Sequence, residues 1–591
     1  MTRIFLACLL LTGPARAAST DFHDWAPTPP MGWNSWDSFG TTLTEAQAKA
    51  QAEFMAAKLK GHGWQYLVVD IQWYEPGARS HAYRAGATLV MDGFGRLQPA
   101  PNRFPSAAAG AGFRPLADHV HALGLKFGLH LMRGIPRQAV EQNLPVAGTA
   151  WHAQDIANRA DICPWNPDMF GVDMTKPGAQ EYYDSVFGLF ATWGVDYVKV
   201  DDISRPYLKH QKEIEAIRRA IDKTGRPIVL SLSPGETALE AATHAGQHAN
   251  LWRISDDFWD RWLALRDQFA RLRNWNSHRF PGAWPDADML PLGSLVMGER
   301  TTRFTPDEQR TMMTLWSIAR SPLMHGGDMT KTDDATLALL TNDEVLAVDQ
   351  HSTNNRPLFE LDDLVAWTAD VPGSPDKYLA VFNVRDRVRL TPQNARYASP
   401  PVTGHPATFA KIDADIRGGT RLFLGVLPLG ASGEWNRILW RLPRLIMADG
   451  TERALTDLQW TRADASWDST KVKQDAAGLP LGIAAEIPAV VEYALPAGAV
   501  RFTATGLVEG NGRGQPPGPV RFLVVTATAA DETPAPGLPV PVKLEDLGIK
   551  GSGRVRDLWT HADLGEQHGD FTPVIPFHGA GLYRISPLST P

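Results

Sequence analysis

Four strand-like apolar segments of this 591-residue chain end in carboxylates. The segments are Tyr66–Asp70, Tyr197–Asp201, Leu251–Asp257 and Ala283–Asp288. Apolar strands that end in acids and alternate with helical stretches are typical of a (β/α)8 barrel, whose functional groups lie at the carboxyl ends of the strands. The pattern therefore predicts an α/β fold with a TIM barrel.

The strand and helix patterns divide the chain into three regions. Eight strand patterns fall between about residues 30 and 330, which predicts a catalytic barrel over 25–345. Short strands with Gly, Pro and Asp turns predict an antiparallel β-sandwich over 346–400 and 535–591. Pro-rich borders enclose a β-rich stretch, which predicts an inserted β-sandwich module over 401–530. The sequence Thr305-Pro306-Asp307-Glu308 is a helix-opening capping box that predicts a helix to about Arg320.

The N-terminus has the pattern of a secretory signal. Arg3 precedes the apolar run 4–11, and Ala15-Arg16-Ala17 offers small residues for cleavage, so residues 1–18 are predicted to be a signal peptide. We therefore expect a bacterial protein exported to the periplasm or the medium. Of the two cysteines, Cys8 leaves with the signal, so Cys163 has no partner for an intramolecular disulfide.

Charge and composition exclude several classes of partner. The net charge of -7 is spread without long runs, so neither nucleic acid nor a membrane is an expected partner. No His, Cys and carboxylate group has metal-ligand spacing, so we predict no metal and no cofactor. The 20 Trp residues fit either sugar-binding surfaces or a large barrel core.

Strand alternation assigns the candidate acids to faces. Residues two apart share a face of a strand, so Lys199 and Asp201 point together, and Asp202 does not. The same rule places Arg253 with Ser255 and Asp257, and Asp286 with Asp288. One such face of a barrel is its lumen, so parity groups Asp201 with Lys199 and Asp257 with Arg253.

Paired carboxylates suit hydrolysis of a glycosidic bond. A nucleophilic carboxylate must stay ionised, and the ammonium of Lys199 would lower the pKa of Asp201. The partner carboxyl must carry a proton for the leaving oxygen. A pair about 5 Å apart gives retention of configuration, and a wider gap gives inversion. Helix N-capping is the alternative for any single acid, and core packing is the alternative for His130.

Several motifs resemble glycoside hydrolase family 27, the melibiase or α-galactosidase family. They cover roughly 25–390 and 540–588. The opening motif is Met31-Gly32-Trp33-Asn34-Ser35-Trp36, the nucleophile strand is Asp196 to Asp201, and the acid/base motif is Arg253 followed by Asp257; Trp284 to Met289, Ser321 to Met324 and Phe577 to Tyr583 also fit.

The resemblance implies a retaining exo-glycosidase acting on an oligo- or polysaccharide. It places Asp201 as the nucleophile and Asp257 as the acid/base. By position, the sugar subsite would be lined by Trp36, Asp70, His130, Lys199, Arg253 and Asp288. Family frequency makes α-galactosidase the first expectation.

Three departures from the family pattern affect the sugar-reading residues. Family α-galactosidases usually carry two adjacent Asp after the second strand, where this chain has Asp70-Ile71. The turn after the fifth strand is Ser233-Pro234-Gly235 instead of a Cys-Glu-Trp-like turn, which makes Ser233 a substrate-binding candidate, and His130 replaces a Tyr. β-L-Arabinopyranosidase and isomalto-dextranase-like activities are therefore alternatives, and an inactive carbohydrate-binding protein is a third.

The inserted region weakly resembles a carbohydrate-binding module found in glycosidases. The matching stretches are Trp467-Asp468-Ser469, Ile487 to Val490 and Gly498 to Phe502. Glycan binding and simple bracing of the catalytic domain remain the two alternatives for this module.

Overall fold

A computed structural model describes residues 21–404, 408–430, 433, 435–466, 469–512, 514–528, 531 and 537–588. The predicted signal peptide and the pair Trp467-Asp468 lie outside these residues. The chain forms two compact units. The first contains residues up to 256, 278–286 and 322–324; the second contains 257–277, 287–321 and 325 onward.

Eight parallel strands form the central sheet, in the order β7-β6-β5-β4-β3-β2-β1-β8. The strands are β1 Met31–Asn34, β2 Tyr66–Val69, β3 Lys126–Met132, β4 Tyr197–Asp201, β5 Val229–Leu232, β6 Leu251–Arg253, β7 Trp284–Asp286 and β8 Leu323–His325. Most are buried on both faces, as parallel strands covered by helices require. The predicted (β/α)8 fold is confirmed.

A helix follows each strand. The α-helices of seven residues or more among the described residues are α1 Glu45–Lys58, α2 Arg114–Ala122, α3 Ala179–Trp193, α4 Tyr207–Thr224, α5 Ala242–His248, α6 Trp262–Trp275, α7 Pro306–Ala319, α8 Asp334–Leu340 and α9 Asp343–His351. Apolar Ile214, Ile217 and Ile221 recur at helical spacing before Gly225 and predict a helix from Tyr207 to Thr224; helix α4 has these bounds, with all three residues buried. Periodicity alone places the start of the first helix at Ala48, but α1 begins at Glu45 because Thr44 and Gln47 form a capping box.

The second unit contains antiparallel sheets. A six-stranded sheet runs in the order Thr353–Leu361, Leu364–Asp370, Lys377–Asn383, Ala580–Pro587, Ser552–Asp557 and Asp563–His568. Two further sheets share one apolar core. Their strands are Tyr397–Ala398, Val520–Ala527, Arg421–Pro428, Ala489–Ala494 and Arg462–Ala465 in one, and Ala410–Asp415, Ala499–Asn511, Asn436–Met447, Pro480–Glu486 and Lys471–Gln474 in the other. The inserted stretch is thus a two-sheet module whose first strand begins at Tyr397.

Two further findings apply to the part of the chain that the structure describes. None of its helices is both long and apolar enough to cross a membrane. Cys163 is buried there as a free thiol, and burial raises its pKa.

Candidate active site

Strand register brings four of the predicted residues to one end of the sheet. His130 of β3 lies directly beside Lys199 of β4. Asp70 follows Val69, the β2 residue that is paired with Leu129. Asp201 ends β4, on the same face as Lys199. Neighbouring parallel strands end at the same edge, so these side chains converge where the barrel carries its chemistry.

Asp201 is held in the charged form by its neighbours. Its Oδ2 accepts a hydrogen bond from His130 Nε2 at 2.6 Å, and Lys199 Nζ lies 4.0 Å from Oδ1. Burial raises the pKa of Asp201, but the charges of Lys199 and His130 outweigh it and hold that pKa below its ordinary value. Oδ1 accepts no hydrogen bond from the described residues. That oxygen is therefore available to attack a substrate.

Asp70 positions the lysine. Its Oδ2 accepts hydrogen bonds from Lys199 Nζ at 2.9 Å and from Asn34 Nδ2 at 2.7 Å. The carboxylate is almost completely buried, so these charge-assisted bonds are well shielded from water. Lys199 thereby stands between two carboxylates, Asp70 and Asp201.

The same residues include a group that could hold a cation. One ligand atom each from Asp70, His130 and Asp201 lies within 4.8 Å of the others, a grouping that sequence spacing did not predict. Lys199 Nζ already supplies a positive charge beside both carboxylates. An ammonium so close would repel a metal ion, which favours the ion-paired arrangement.

Asp202 lies just beyond the end of β4 with a φ of +60°, so strand parity does not reach it, and its ion pair differs from that of Asp201. It pairs with Arg133 at 2.9 Å, and Arg133 also pairs with Asp161 at 2.9 Å and Glu213 at 3.1 Å. Burial raises the pKa of Asp202 to about 6, although Arg133 opposes the shift. The surroundings therefore raise the pKa of Asp202, whereas they lower the pKa of its neighbour Asp201.

Ser233 and Arg253 lie on the neighbouring strands. Ser233 directly follows β5, Arg253 ends β6, and both are buried. Arg253 Nη1 donates a long hydrogen bond of 3.4 Å to Ser233 Oγ. The next acid along the chain, Asp256, pairs with Arg205 at 2.6 Å. Asp256 is thus engaged in an ion pair.

The alternation argument fails for Asp257 and Asp288. Strand β6 ends at Arg253 and β7 ends at Asp286, so two-residue parity does not reach either acid. Asp288 has a φ of +84°, outside the extended region. Both acids belong to the second unit, where Asp288 Oδ2 accepts a hydrogen bond from the Phe258 amide at 2.7 Å. Their assignment therefore rests on the family motifs alone.

Trp36 is half-buried beside an asparagine that sequence reasoning missed. The Trp36 amide donates to Asn34 Oδ1 at 2.9 Å, while Asn34 also donates to Asp70. The indole ring faces Tyr83 with 6.0 Å between ring centroids and 12° between the planes. Asn34 is the last residue of β1 and belongs to the opening motif, and that place at the carboxyl end of a strand was the available signal.

A second missed group lies after β2. Gln72 Nε2 donates to Asp168 Oδ2 at 2.6 Å, and the Tyr74 hydroxyl donates to the same oxygen at 3.2 Å. Burial raises the pKa of Asp168. Asp168 lies in a loop with no periodic pattern, so nothing in the sequence ties it to residues almost a hundred positions earlier.

This barrel, with an ion-paired carboxylate at its carboxyl rim, defines a glycoside hydrolase. Residues 168–351 match the family described as Alpha galactosidase A, and 524–585 match the Alpha galactosidase C-terminal beta sandwich domain. An α-galactosidase of Coffea arabica is 31% identical over 350 residues, covering 58% of this chain and 76% of the relative. One from Cyamopsis tetragonoloba is 29% identical, covering 62% and 74%. The chain belongs to glycoside hydrolase family 27.

Among solved structures, a similar one is a β-L-arabinopyranosidase of this family from Geobacillus stearothermophilus, determined in complex with arabinose. It is 40% identical, covers 97% of this chain and 100% of its own, and has a TM-score of 0.69. The curated relatives thus support the α-galactosidase expectation, whereas the arabinopyranosidase resembles the present chain over nearly its whole length.

Proposed function

We propose that the protein is a retaining exo-glycosidase that prefers terminal β-L-arabinopyranosides. In this mechanism Asp201 attacks the anomeric carbon and forms a covalent glycosyl ester. Asp257 first protonates the leaving oxygen and then activates the water that hydrolyses the ester. Lys199 keeps the nucleophile charged, and Trp36 offers an apolar face to the sugar ring.

The nucleophile assignment is supported by the charge environment of Asp201. A carboxylate with a lowered pKa and one oxygen without a hydrogen-bond partner in the described chain is ready to attack an electrophilic carbon. Its buried neighbours exclude water that would otherwise solvate the charge. The inactive binding protein is disfavoured, because such a charge is costly to maintain without a chemical role.

The sugar preference rests on one buried side chain, Ile71. β-L-Arabinopyranose has the ring configuration of α-D-galactopyranose without the exocyclic hydroxymethyl group. In the family pattern a second carboxylate at position 71 faces galactose hydroxyls. Ile71 cannot accept their hydrogen bonds, and an unsatisfied buried hydroxyl costs about 1–3 kcal/mol. The pentopyranoside presents one hydroxyl fewer and avoids that cost.

α-Galactosidase activity is the second candidate. It is favoured by the curated relatives and by the two matched family domains. The retained Asp70 supports it as well, since one carboxylate still accepts hydrogen bonds in the sugar subsite. Isomalto-dextranase-like activity has no further observation in its favour.

The test is a panel of nitrophenyl glycosides comprising β-L-arabinopyranoside, α-D-galactoside and α-D-glucoside. We expect the arabinopyranoside to have the highest kcat/KM, with turnover by Asp201→Asn reduced about 10⁴-fold or more. Ile71→Asp should raise the galactoside-to-arabinopyranoside ratio at least tenfold, whereas Ile71→Leu should not. Higher kcat/KM on the galactoside would establish the second candidate instead.

Location is a separate proposal. We infer export from the pattern of residues 1–18, which places the enzyme where it meets polymeric glycans. Mass spectrometry of the protein released by its host would show the new N-terminus near residue 18. An intact Met1 terminus would contradict export by this route.

A further inference from the structure

We propose that Tyr83 and Trp165 form a leaving-group subsite, the surface that binds the sugar next to the scissile bond. The proposal rests on the proposed function, because it takes Trp36 and Asp201 as the site of the terminal sugar. It adds a substrate class: glycans in which the terminal unit is joined to a second pyranose ring, as opposed to simple aglycones.

Three aromatic rings lead outward from the terminal-sugar position. The ring planes of Trp36 and Tyr83 are nearly parallel. Tyr83 contacts Trp165 with 5.5 Å between the ring centroids and 47° between the ring planes. Trp36 and Tyr83 are half-buried, whereas 37% of Trp165 is exposed. Sugar rings pack their C–H faces on such aromatic surfaces. The exposed end of the row is thus continuous with the proposed sugar subsite.

A cavity of about 200 Å³ lies against Trp165. Its lining includes Trp165, Asp202 and Pro234. Asp202 directly follows Asp201, and Pro234 directly follows Ser233, so the cavity lining includes the chain neighbours of two candidate site residues. A leaving-group sugar must lie outside the terminal-sugar position, and the exposed end of the aromatic row meets this cavity at Trp165.

The polar lining of the cavity suits a sugar better than an apolar group. Arg205 and Lys209 also line it, with side chains 43% and 51% exposed. Each makes one ion pair, Arg205 with Asp256 and Lys209 with Asp161, and each has further N–H groups. An aromatic platform flanked by N–H donors fits the C–H face and hydroxyls of a pyranose.

The experiment compares two substrates that share a terminal sugar. One is a trisaccharide ending in the sugar that the enzyme prefers; the other is the corresponding glycosyl fluoride, whose leaving group cannot reach Trp165. For Trp165→Ala we expect kcat/KM to fall about tenfold on the trisaccharide and less than twofold on the fluoride. Trp165→Phe should recover part of the loss. The matched control is Trp151→Ala, since Trp151 is 43% exposed and shows no ring contact with the row among the described residues.

Equal losses on both substrates would show that Trp165 acts only on the fold around the site, and no loss on either would show that it binds no sugar. Binding provides a readout that does not depend on turnover. In Asp201→Asn protein, the Kd for the trisaccharide, followed by tryptophan fluorescence, should rise about tenfold with Trp165→Ala while the Kd for the monosaccharide stays constant. An unchanged trisaccharide Kd would overturn the subsite, whereas failure of the proposed function would appear as absent turnover by the parent enzyme.

Discussion

At the scale of single residues, the charge of Asp201 is the balance of opposing effects. Burial favours the neutral acid, and the nearby cations favour the carboxylate and prevail. Lys199 is central to this balance, since it lies 2.9 Å from Asp70 and 4.0 Å from Asp201. Without the charge of Lys199, less electrostatic attraction counteracts the effect of burial, so we expect the pKa of Asp201 to rise.

This balance predicts the effect of Lys199→Met on the pH profile. Asp201 must be ionised to attack, so a higher pKa moves the acid limb of kcat/KM upward by about one to three pH units. Lys199→Arg keeps the charge and should leave the acid limb within about half a unit of the parent. The measurement is kcat/KM from about pH 2 to 8 on protein that stays folded, because the parent's acid limb lies below the ordinary range of an aspartic acid. An equal shift of the acid limb in Lys199→Met and Lys199→Arg would show that the shape of the lysine side chain, and not its charge, sets the pH profile.

At the scale of elements, the first turn of helix α7 connects three parts of the second unit. Glu308 closes the capping box by accepting the Thr305 amide at 3.0 Å on Oε2. Its Oε1 accepts from Arg462 of the inserted module and from His578 of the C-terminal sandwich, each at 2.8 Å. Burial alone would raise the pKa of Glu308, but these bonds and charges lower it from 4.5 to about 2.

Glu308→Gln should therefore destabilise the second unit. A carboxyl whose pKa is depressed on folding contributes stability above its unfolded pKa, and that contribution is lost as pH falls toward the folded value. A shift from 4.5 to about 2 corresponds to about 3 kcal/mol at neutral pH. Denaturant unfolding should show this difference in the free energy of unfolding between the parent and Glu308→Gln at pH 7. The difference should become smaller as the pH falls from 5 to 2.

The control for that experiment is Asp307→Asn, which removes an equal charge from the same helical turn. Its effect on the free energy of unfolding should stay within about 0.5 kcal/mol, apart from the helix-dipole contribution. A difference between Glu308→Gln and the parent that is constant from pH 7 to pH 2 would contradict the ion-pair account.

Hydrophobic periodicity and the residues that start and stop helices predicted single helices and strands well. Helix α4, strand β3 and the α7 capping box follow from periodicity and end signals. Parity along β4 also placed Lys199 and Asp201 on one face. Features that join distant segments were beyond such rules: Arg133 meets Asp161 and Glu213 only after folding, and Tyr83 meets Trp165 between loops without periodicity.

At the scale of the whole molecule, the inserted module is bound closely to barrel helices within the second unit. Asp464 accepts the Leu263 amide at 2.9 Å near the start of α6, and Arg261 donates to the Ala465 carbonyl. With the Arg462–Glu308 pair, these contacts fix one sheet of the module to two helix N-termini. They favour the bracing role that the sequence left open beside glycan binding.

The buried thiol of Cys163 provides a probe of the first unit. Cys163 is 3% exposed and its pKa is raised by burial, so little thiolate is present and reagents cannot reach it. A thiol-reactive dye should leave the native protein unmodified for hours and label it fully in denaturant. In denaturant, one labelled thiol per chain would also show that Cys8 has been removed with the signal, and two would show that it remains.

The different environments of Asp201 and Asp202 have a consequence for insertions and deletions within strand β4. One peptide unit separates a carboxylate that stays charged from one that takes up a proton near pH 6. A one-codon deletion within the strand would bring Asp202 to the strand-end position that Asp201 now occupies and would reverse the faces of the residues before it. This strand is therefore expected to accept conservative replacements at Val198 or Val200 in related chains but to keep its length without exception.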